Sequence, residues 1–288
     1  MKTTDVQEGP QEGLLENKSI KQSLLSADDW AFIKDISDKF PDRTPSILQR
    51  FQWFEAIPAK DRIKHAQLAL KVELRRGFTQ RMEQGIIPQS SAKDIESIHE
   101  HAHNMRLILR RMFNRQDLSA YGQRFSKEQR KDIAKKAFRL ADIHDMPEAI
   151  TTDFTPDDLE IITREDKGIL EGLAARIIFE TFPKKHMMID RYEEKDQLED
   201  EVNIDHLNKV IDFLEGGVDC LAMNLPVEAF DEWTNTIETG LKKYPELSMC
   251  FASAALTKMR RLRPEMDAIT ADYPTAKQRR EYLINRIF

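Results

Sequence analysis

Four places in this 288-residue chain bring together side chains that can do chemistry. The first is Glu96-Ser97-Ile98-His99-Glu100-His101-Ala102-His103. A helix turns ~100° per residue, so His99 and His103 share a face while His101 points elsewhere. The second is His144-Asp145, an imidazole and a carboxylate side by side at a helix end, where two ligand types can reach one point. The third runs from Glu148 to Asp153 in the loop just after, and the fourth is Asp205-His206-Leu207 at the start of another helix. Mixed imidazole and carboxylate ligands suit Mn, Fe, Co, Ni or Zn. Such an ion lowers the pKa of a bound water, to ~7 in favourable cases, and polarises a phosphoryl oxygen. A carboxylate close to the ion but not bound to it can move the proton. Singly, each signal is weak. A lone helical His is more often packed or solvated than a ligand, and an Asp opening a helix is most often a cap.

The elements that must position these residues read as helices. Residues 1–26 carry Gly9, Pro10 and Gly13 among polar residues and read as a mobile tail. Ser26 can cap a first helix carrying Trp30, Phe32, Ile33 and Ile36, and a second starts near Thr44. A third, longer helix is expected over 59–81, a break over 85–91, and a strong helix over 92–113. After a loop at 114–125, Ser126 with Gln129 forms a capping box that opens a helix through Ile143. Residues 146–157 read as a loop, followed by helices at 157–182, 203–215, 226–244, 246–262 and 275–287. No alternating strand pattern and no fixed-period repeat appears, so the fold class is all-α.

Composition narrows the function classes. With 44 Lys+Arg against 50 Asp+Glu, the net charge of −6 argues against broad, sequence-independent nucleic-acid binding. Fifteen Phe, 3 Trp and 11 Met supply core material, which excludes a wholly disordered chain. Cys220 and Cys250 fit no metal-ligand spacing and read as apolar packing in a reducing compartment. No apolar run reaches the length of a membrane span, and the polar N-terminus lacks a signal-peptide core. The expected location is the cytoplasm.

Taken in order, His…His-Asp…Asp on a helical scaffold resembles the HD-domain metal-dependent phosphohydrolases, and within them the 5′-deoxynucleotidase branch. That branch has a first motif like E-S-V-A-E-H, matched here by Glu96 to His101. Its second, like H-D-x-x-E-x-x-x-G-D-x-P, is matched by His144 to Pro156, and its last, D-x-L, by Asp205-His206-Leu207. An R-x-G-W-like segment upstream is matched by Arg75-Arg76-Gly77-Phe78. The resemblance covers about residues 72–220, roughly half the chain.

The resemblance implies an HD-domain helical bundle with additional N- and C-terminal helices. Its parts would be a tail at 1–26, a helical extension at 27–71, a catalytic domain at 72–222 and a C-terminal extension at 223–288 packed on it. It implies one divalent metal ion (Mn, Co, Fe, Mg, Ni or Zn) held by His101, His144, Asp145 and Asp205. Glu148 would be the general acid/base, and Asp153 would orient the substrate or the site. Arg75 or Arg76 would contact phosphate, Phe78 would offer a stacking face, and Lys167 a further positive charge. The implied substrate is a small phosphorylated molecule, a nucleotide, from which phosphate is removed. Pyrophosphohydrolases and phosphodiesterases of the same fold are the neighbouring alternatives. A non-catalytic helical module is the alternative from another class, suggested by the large flanks. Those flanks, with the basic run Lys258-Met259-Arg260-Arg261-Leu262-Arg263, read as a pocket cover, a homodimer interface or a partner surface. Three departures stand out: Thr152 in place of Gly, Phe78 in place of Trp, and His103 as a competing register for the first ligand.

Overall fold

Hydroxyl caps open the helices where the sequence places them. Ser26 accepts from the N–H of Asp29 and donates its own N–H to the Asp29 carboxylate, and Ser126 does the same with Gln129. The structure is a computed structural model that describes residues 23–85, 87, 89–114, 126–155, 157–180, 204–242 and 246–288. In chain order its α-helices are α1 (Ala27–Asp38), α2 (Ile47–Ala56), α3 (Ala59–Leu70), α4 (Arg76–Glu83), α5 (Ile98–Asn114), α6 (Lys127–Ile143) and α7 (Glu148–Thr151). They continue with α8 (Arg164–Ile178), α9 (Ile204–Ala222), α10 (Val227–Leu241), α11 (Glu246–Leu262), α12 (Met266–Asp272) and α13 (Ala276–Ile287). Among the described residues no β-strand occurs, and the fold is all-α as expected. No helix there is long and apolar enough to cross a membrane.

Two apolar clusters organise the helices. One joins α1–α3 to α7 and α8 through Ile33, Phe51, Phe54, Ile150 and Leu170. The other surrounds α9, with α5, α6, α10, α11 and α13 packed on it. Each fully buried Phe or Ile side chain stabilises its cluster by about 2 kcal/mol. Helix α10 lies so close to α9 that a Cβ on Gly216 would meet the Trp233 ring at 2.3 Å. Ile98, at the start of α5, packs into the first cluster, while Met105, Ile108, Leu109 and Met112 pack into the second. Helix α5 therefore spans the junction, and His101 lies on it between the two.

Several expected boundaries move. The helix expected over 59–81 is interrupted: α3 ends at Leu70 and α4 starts at Arg76. Between them the chain pairs with the segment before α5. Arg75 N donates to Glu96 O (3.3 Å), and Ile98 N donates to Glu73 O (2.9 Å) around an isolated Leu74–Ser97 bridge. That long-range pairing turns Arg75 inward. The helix expected over 92–113 resolves into a 3-10 turn, Gln89–Asp94, and α5. The loop expected at 146–157 contains α7, and the helix expected at 203–215 runs on to Ala222. Most of the tail and of the 114–125 loop, and the end of the 157–182 helix, lie outside the described residues.

The N-terminal flank reaches the middle of the chain through two buried arginines. Arg62 on α3 donates to Ile57 O (2.9 Å) and Ile177 O (3.1 Å) and pairs with Glu180 (2.6 Å). Arg43, in the loop after α1, lies between the rings of Phe40 and Phe154 and pairs with Asp158 at 3.1 Å. It also donates to Thr151 O (3.2 Å) and to the Thr152 hydroxyl. Thr152 has φ 65° and ψ 165°, backbone that glycine adopts without strain. The Arg43 clamp is thus fixed to the residue that stands where the resembling family has Gly.

Candidate metal centre

Helix α5 turns His101 inward, and the ring is buried. His144 and Asp145 follow the last turn of α6, whose Ile133, Ala137 and Ala141 fix the exit against the core. The two imidazole rings are 5.9 Å apart between centroids. His144 Nε2 is 3.0 Å from Asp145 Oδ2, and His101 Nε2 is 3.8 Å from the same oxygen. His101 Nε2 is also 3.2 Å from Asp212 Oδ1, on α9. Despite these distances, neither Nε2 atom has a hydrogen-bond partner, and both are buried.

The other ring nitrogens explain this. His144 Nδ1 lies 3.1 Å from Ala141 O, which can only accept, so that nitrogen carries the proton. His101 Nδ1 lies 2.7 Å from both Glu215 Oε2, which can only accept, and Arg75 Nη1, which can only donate; in the tautomer bonded to Glu215 it carries the proton. Both Nε2 lone pairs are then left facing Asp145 and Asp212. Carboxylate and imidazole atoms ~3 Å apart without hydrogen-bond alignment are spaced like neighbouring ligands each ~2.1 Å from a shared ion. His101, His144 and Asp145 therefore fit a divalent metal, and Asp212 lies next to His101.

Asp205, expected as the last ligand, starts the same helix seven residues earlier, about two turns and ~10 Å away along the axis. Its side chain lies outside the described residues. Asp212-Phe213-Leu214 repeats the D-x-L pattern of Asp205-His206-Leu207, and Asp212 faces His101.

Behind His101 a second acidic group, Glu96 and Glu215 with His101 Nδ1, is also close enough to hold an ion, and all three are buried. Guanidinium groups fill the cationic places there. Arg75 Nη1 is 2.7 Å from His101 Nδ1, 3.2 Å from Glu215 and 3.6 Å from Glu96. This group backs the imidazole, in the way that ligating histidines are commonly held through their other nitrogen.

A cavity of about 240 Å³ opens over the centre, lined by His144, Asp145, Glu148, Asp153, Lys167 and Asp212 among others. The carboxylates around it are pushed apart in pKa. Burial would raise Asp145, but positive charge at this centre, whether protons on His144 and His101 or an ion in their place, outweighs it and holds Asp145 below the usual carboxylate range. Burial is likewise outweighed at Asp212, by Lys209 and His101. Glu148 goes the other way: burial raises it well above the ordinary value, and the charges of Asp145 and Asp153 add to that. Lys167 keeps its proton against burial because Glu171, Glu148 and Asp153 surround it.

The remaining expected residues are placed as follows. Arg75 lines the cavity, but its donors face Glu215, Asp212 and Glu96. Arg76 turns toward Asp158 (3.4 Å), and its backbone N–H donates to Asp153 (3.0 Å). Phe78 is buried against Trp233 and does not line the cavity. Lys209, absent from the sequence reading, lines the cavity and pairs with Asp212 at 2.5 Å. His99 and His103 are exposed on the far side of α5 and line a different cavity, of about 440 Å³, with Lys71 and Lys277. The competing register for the first ligand is thereby turned away from Asp145.

A family model described as an HD domain matches residues 79–229, just over half of the chain. The chain belongs to the HD-domain family. HD domains are in general metal-dependent phosphohydrolases that bind divalent ions. The matched stretch contains His101, His144, Asp145, Glu148 and Asp212, whereas Arg75 and the helices α1–α3 and α11–α13 lie outside it. Comparison with curated proteins and with solved structures found no match.

Proposed function

We propose that this HD-domain chain removes phosphate from a nucleotide, as a 5′-(deoxy)nucleotidase does, with His101, His144, Asp145 and Asp212 holding one divalent ion. The observation that carries the reading is the pair of buried, unpartnered Nε2 atoms facing two ionised carboxylates. A divalent ion there would lower the pKa of a bound water and polarise a phosphoryl oxygen.

The chain's own residues do the rest. Glu148 holds its proton beside a charged Asp145, the separation of two carboxylates that assigns acid and base roles. It delivers that proton to the leaving oxygen, or once ionised takes one from the attacking water. Lys167 places an ammonium in the same cavity to offset phosphate charge. Asp153 accepts the Arg76 N–H and ties its loop to the start of α4. Arg75 acts from behind, by neutralising the acids that hold His101. A cavity of about 240 Å³ is smaller than the usual small-ligand pocket and suits the phosphate-and-sugar end of a nucleotide.

The test is a screen of nucleoside mono- and triphosphates with Mn²⁺, Co²⁺ and Mg²⁺, reading phosphate release and metal content together. Release of inorganic phosphate from a monophosphate is the expected result. Metal below ~0.1 ion per chain after Mn²⁺ addition, with no turnover, would overturn the enzyme reading.

A further inference from the structure

The match to the HD domain ends at residue 229, yet the acids that hold His101 are completed from beyond it. Three buried carboxylates lie together behind the metal centre: Glu96 before α5, and Glu215 and Asp219 one turn apart on α9. Asn104 joins the first two by donating to Glu96 (2.8 Å) and to Glu215 (3.1 Å). Arg75 reaches Glu96 and Glu215. Asp219 is paired with a different cation, Arg280 on α13. Arg280 Nε lies 2.5 Å from Asp219 Oδ1 and 3.7 Å from Glu96 Oε2, and Nη2 donates to Asp94 O at 2.5 Å. The arginine is itself buried.

We infer that Arg280 is a positioning residue for the metal centre: the C-terminal helix supplies the guanidinium that holds Asp219 and Glu96 in place and so keeps Glu215 aligned on His101. The inference rests on the metal-binding reading above and on the contact chain Arg280–Glu96–Asn104–Glu215–His101. Without Arg280, three buried carboxylates share one guanidinium. Arg75 is then drawn between Glu96 and Asp219, and the hydrogen bond that fixes the His101 ring loses its support. Loss of such an outer partner costs about 10–100-fold in metal affinity. The flanking helix is thus part of the centre, not a cover laid over a self-sufficient domain.

Mn²⁺ titration of the full chain by calorimetry tests this without any substrate. Arg280→Met should weaken Mn²⁺ binding by about 10–100-fold. Arg280→Lys, which keeps the charge, should stay within about threefold of wild type. Arg279→Met is the control for damage to α13. Arg279 is also buried, but it donates to Ala222 O and Tyr273 O and pairs with Asp94 at 3.9 Å, rather than with Glu96 or Asp219. It should lower the melting temperature and leave Mn²⁺ affinity alone. Adding Asp219→Asn to Arg280→Met removes the unpaired charge and should restore affinity to within about threefold, because deleting both partners is cheaper than stranding one. The double variant carries the test even where the single one fails to fold. The inference is overturned if Arg280→Met binds Mn²⁺ like wild type, if Arg279→Met weakens binding equally, or if the double variant stays more than about tenfold weaker. Wild-type protein that binds no Mn²⁺ overturns the metal reading itself, and is recognised before any variant is compared.

Discussion

The two sides of His101 are built on opposite rules. On the Nε2 side, the two imidazole nitrogens lie within about 3–4 Å of Asp145 and Asp212 and make no hydrogen bond. On the Nδ1 side, Glu96 and Glu215 are matched by Arg75 and Asn104, and Arg280 closes the set from Asp219. Burying polar atoms without partners is costly, and an ion between His101, His144 and Asp145 would supply the missing partner. The back has the opposite task. It must hold one imidazole at one angle, which charge-paired neighbours do best, even with Glu96 Oε1 and Asp219 Oδ2 accepting no hydrogen bond. The comparison separates groups that do chemistry from groups that aim them, although both are acidic and both are buried.

The largest expected effect lies on the front side. Glu148→Gln keeps the shape but cannot release a proton, so turnover of a nucleoside monophosphate should fall by about 10²–10⁴-fold. Mn²⁺ affinity should change by less than about threefold, since Glu148 is not among the proposed ligands. Native turnover in this variant would remove Glu148 from the mechanism and blur the contrast between the two sides. Next in size is a direct comparison of Asp212→Asn with Asp205→Asn by the same Mn²⁺ titration. The first should cost on the order of 10²-fold in affinity, as a ligand is lost, and the second less than about threefold. The reverse order would return the fourth ligand to the start of α9.

A third prediction concerns the clamp from the other flank. Arg43 is buried and paired with Asp158, which would keep only Arg76 and Thr155 as partners, so Arg43→Ala should destabilise the fold by about 1–3 kcal/mol. It should also release Thr152 from its strained backbone. Thr152→Gly in that background should recover part of the loss, measured by urea denaturation. An unchanged denaturation midpoint in Arg43→Ala would show that the loop before Asp153 holds itself.

Much of the frame was legible in the sequence, because it depends on local chemistry. The boxes at Ser26 and at Ser126 with Gln129 need only four residues to specify them, and the apolar stripe of α5 repeats at helical spacing. The break between α3 and α4 was not legible. Leu70, Val72 and Leu74 continue the apolar pattern, and what ends the helix is pairing with Ser97, more than twenty residues on. Of the site, His101 and His144-Asp145 stood out as residue types. The choice between two D-x-L copies on one helix depends on which turn of α9 lies opposite His101, and only packing decides that. The acids behind His101 and their arginine were hidden for a simpler reason. Charged residues on helices are usually solvated, so Glu96, Asp219 and Arg280 carry no local mark of burial.

The smallest effect is a slope with pH, and it follows from the paired side alone. Burial raises the Asp219 carboxyl from 3.8 to about 6, even with Arg280 beside it. Between those values the folded chain binds a proton at Asp219 that the unfolded chain has lost. Stability from this group therefore falls as pH rises from about 4 to 6, and is constant beyond. A shift of this size corresponds to at most about 3 kcal/mol. The Arg280→Met, Asp219→Asn double variant lacks the titrating group. Relative to wild type it should gain stability between pH 4.5 and 7.5, read from urea denaturation at the two values. Parallel changes in both proteins would mean that Asp219 is ionised throughout, with Arg280 fully offsetting its burial.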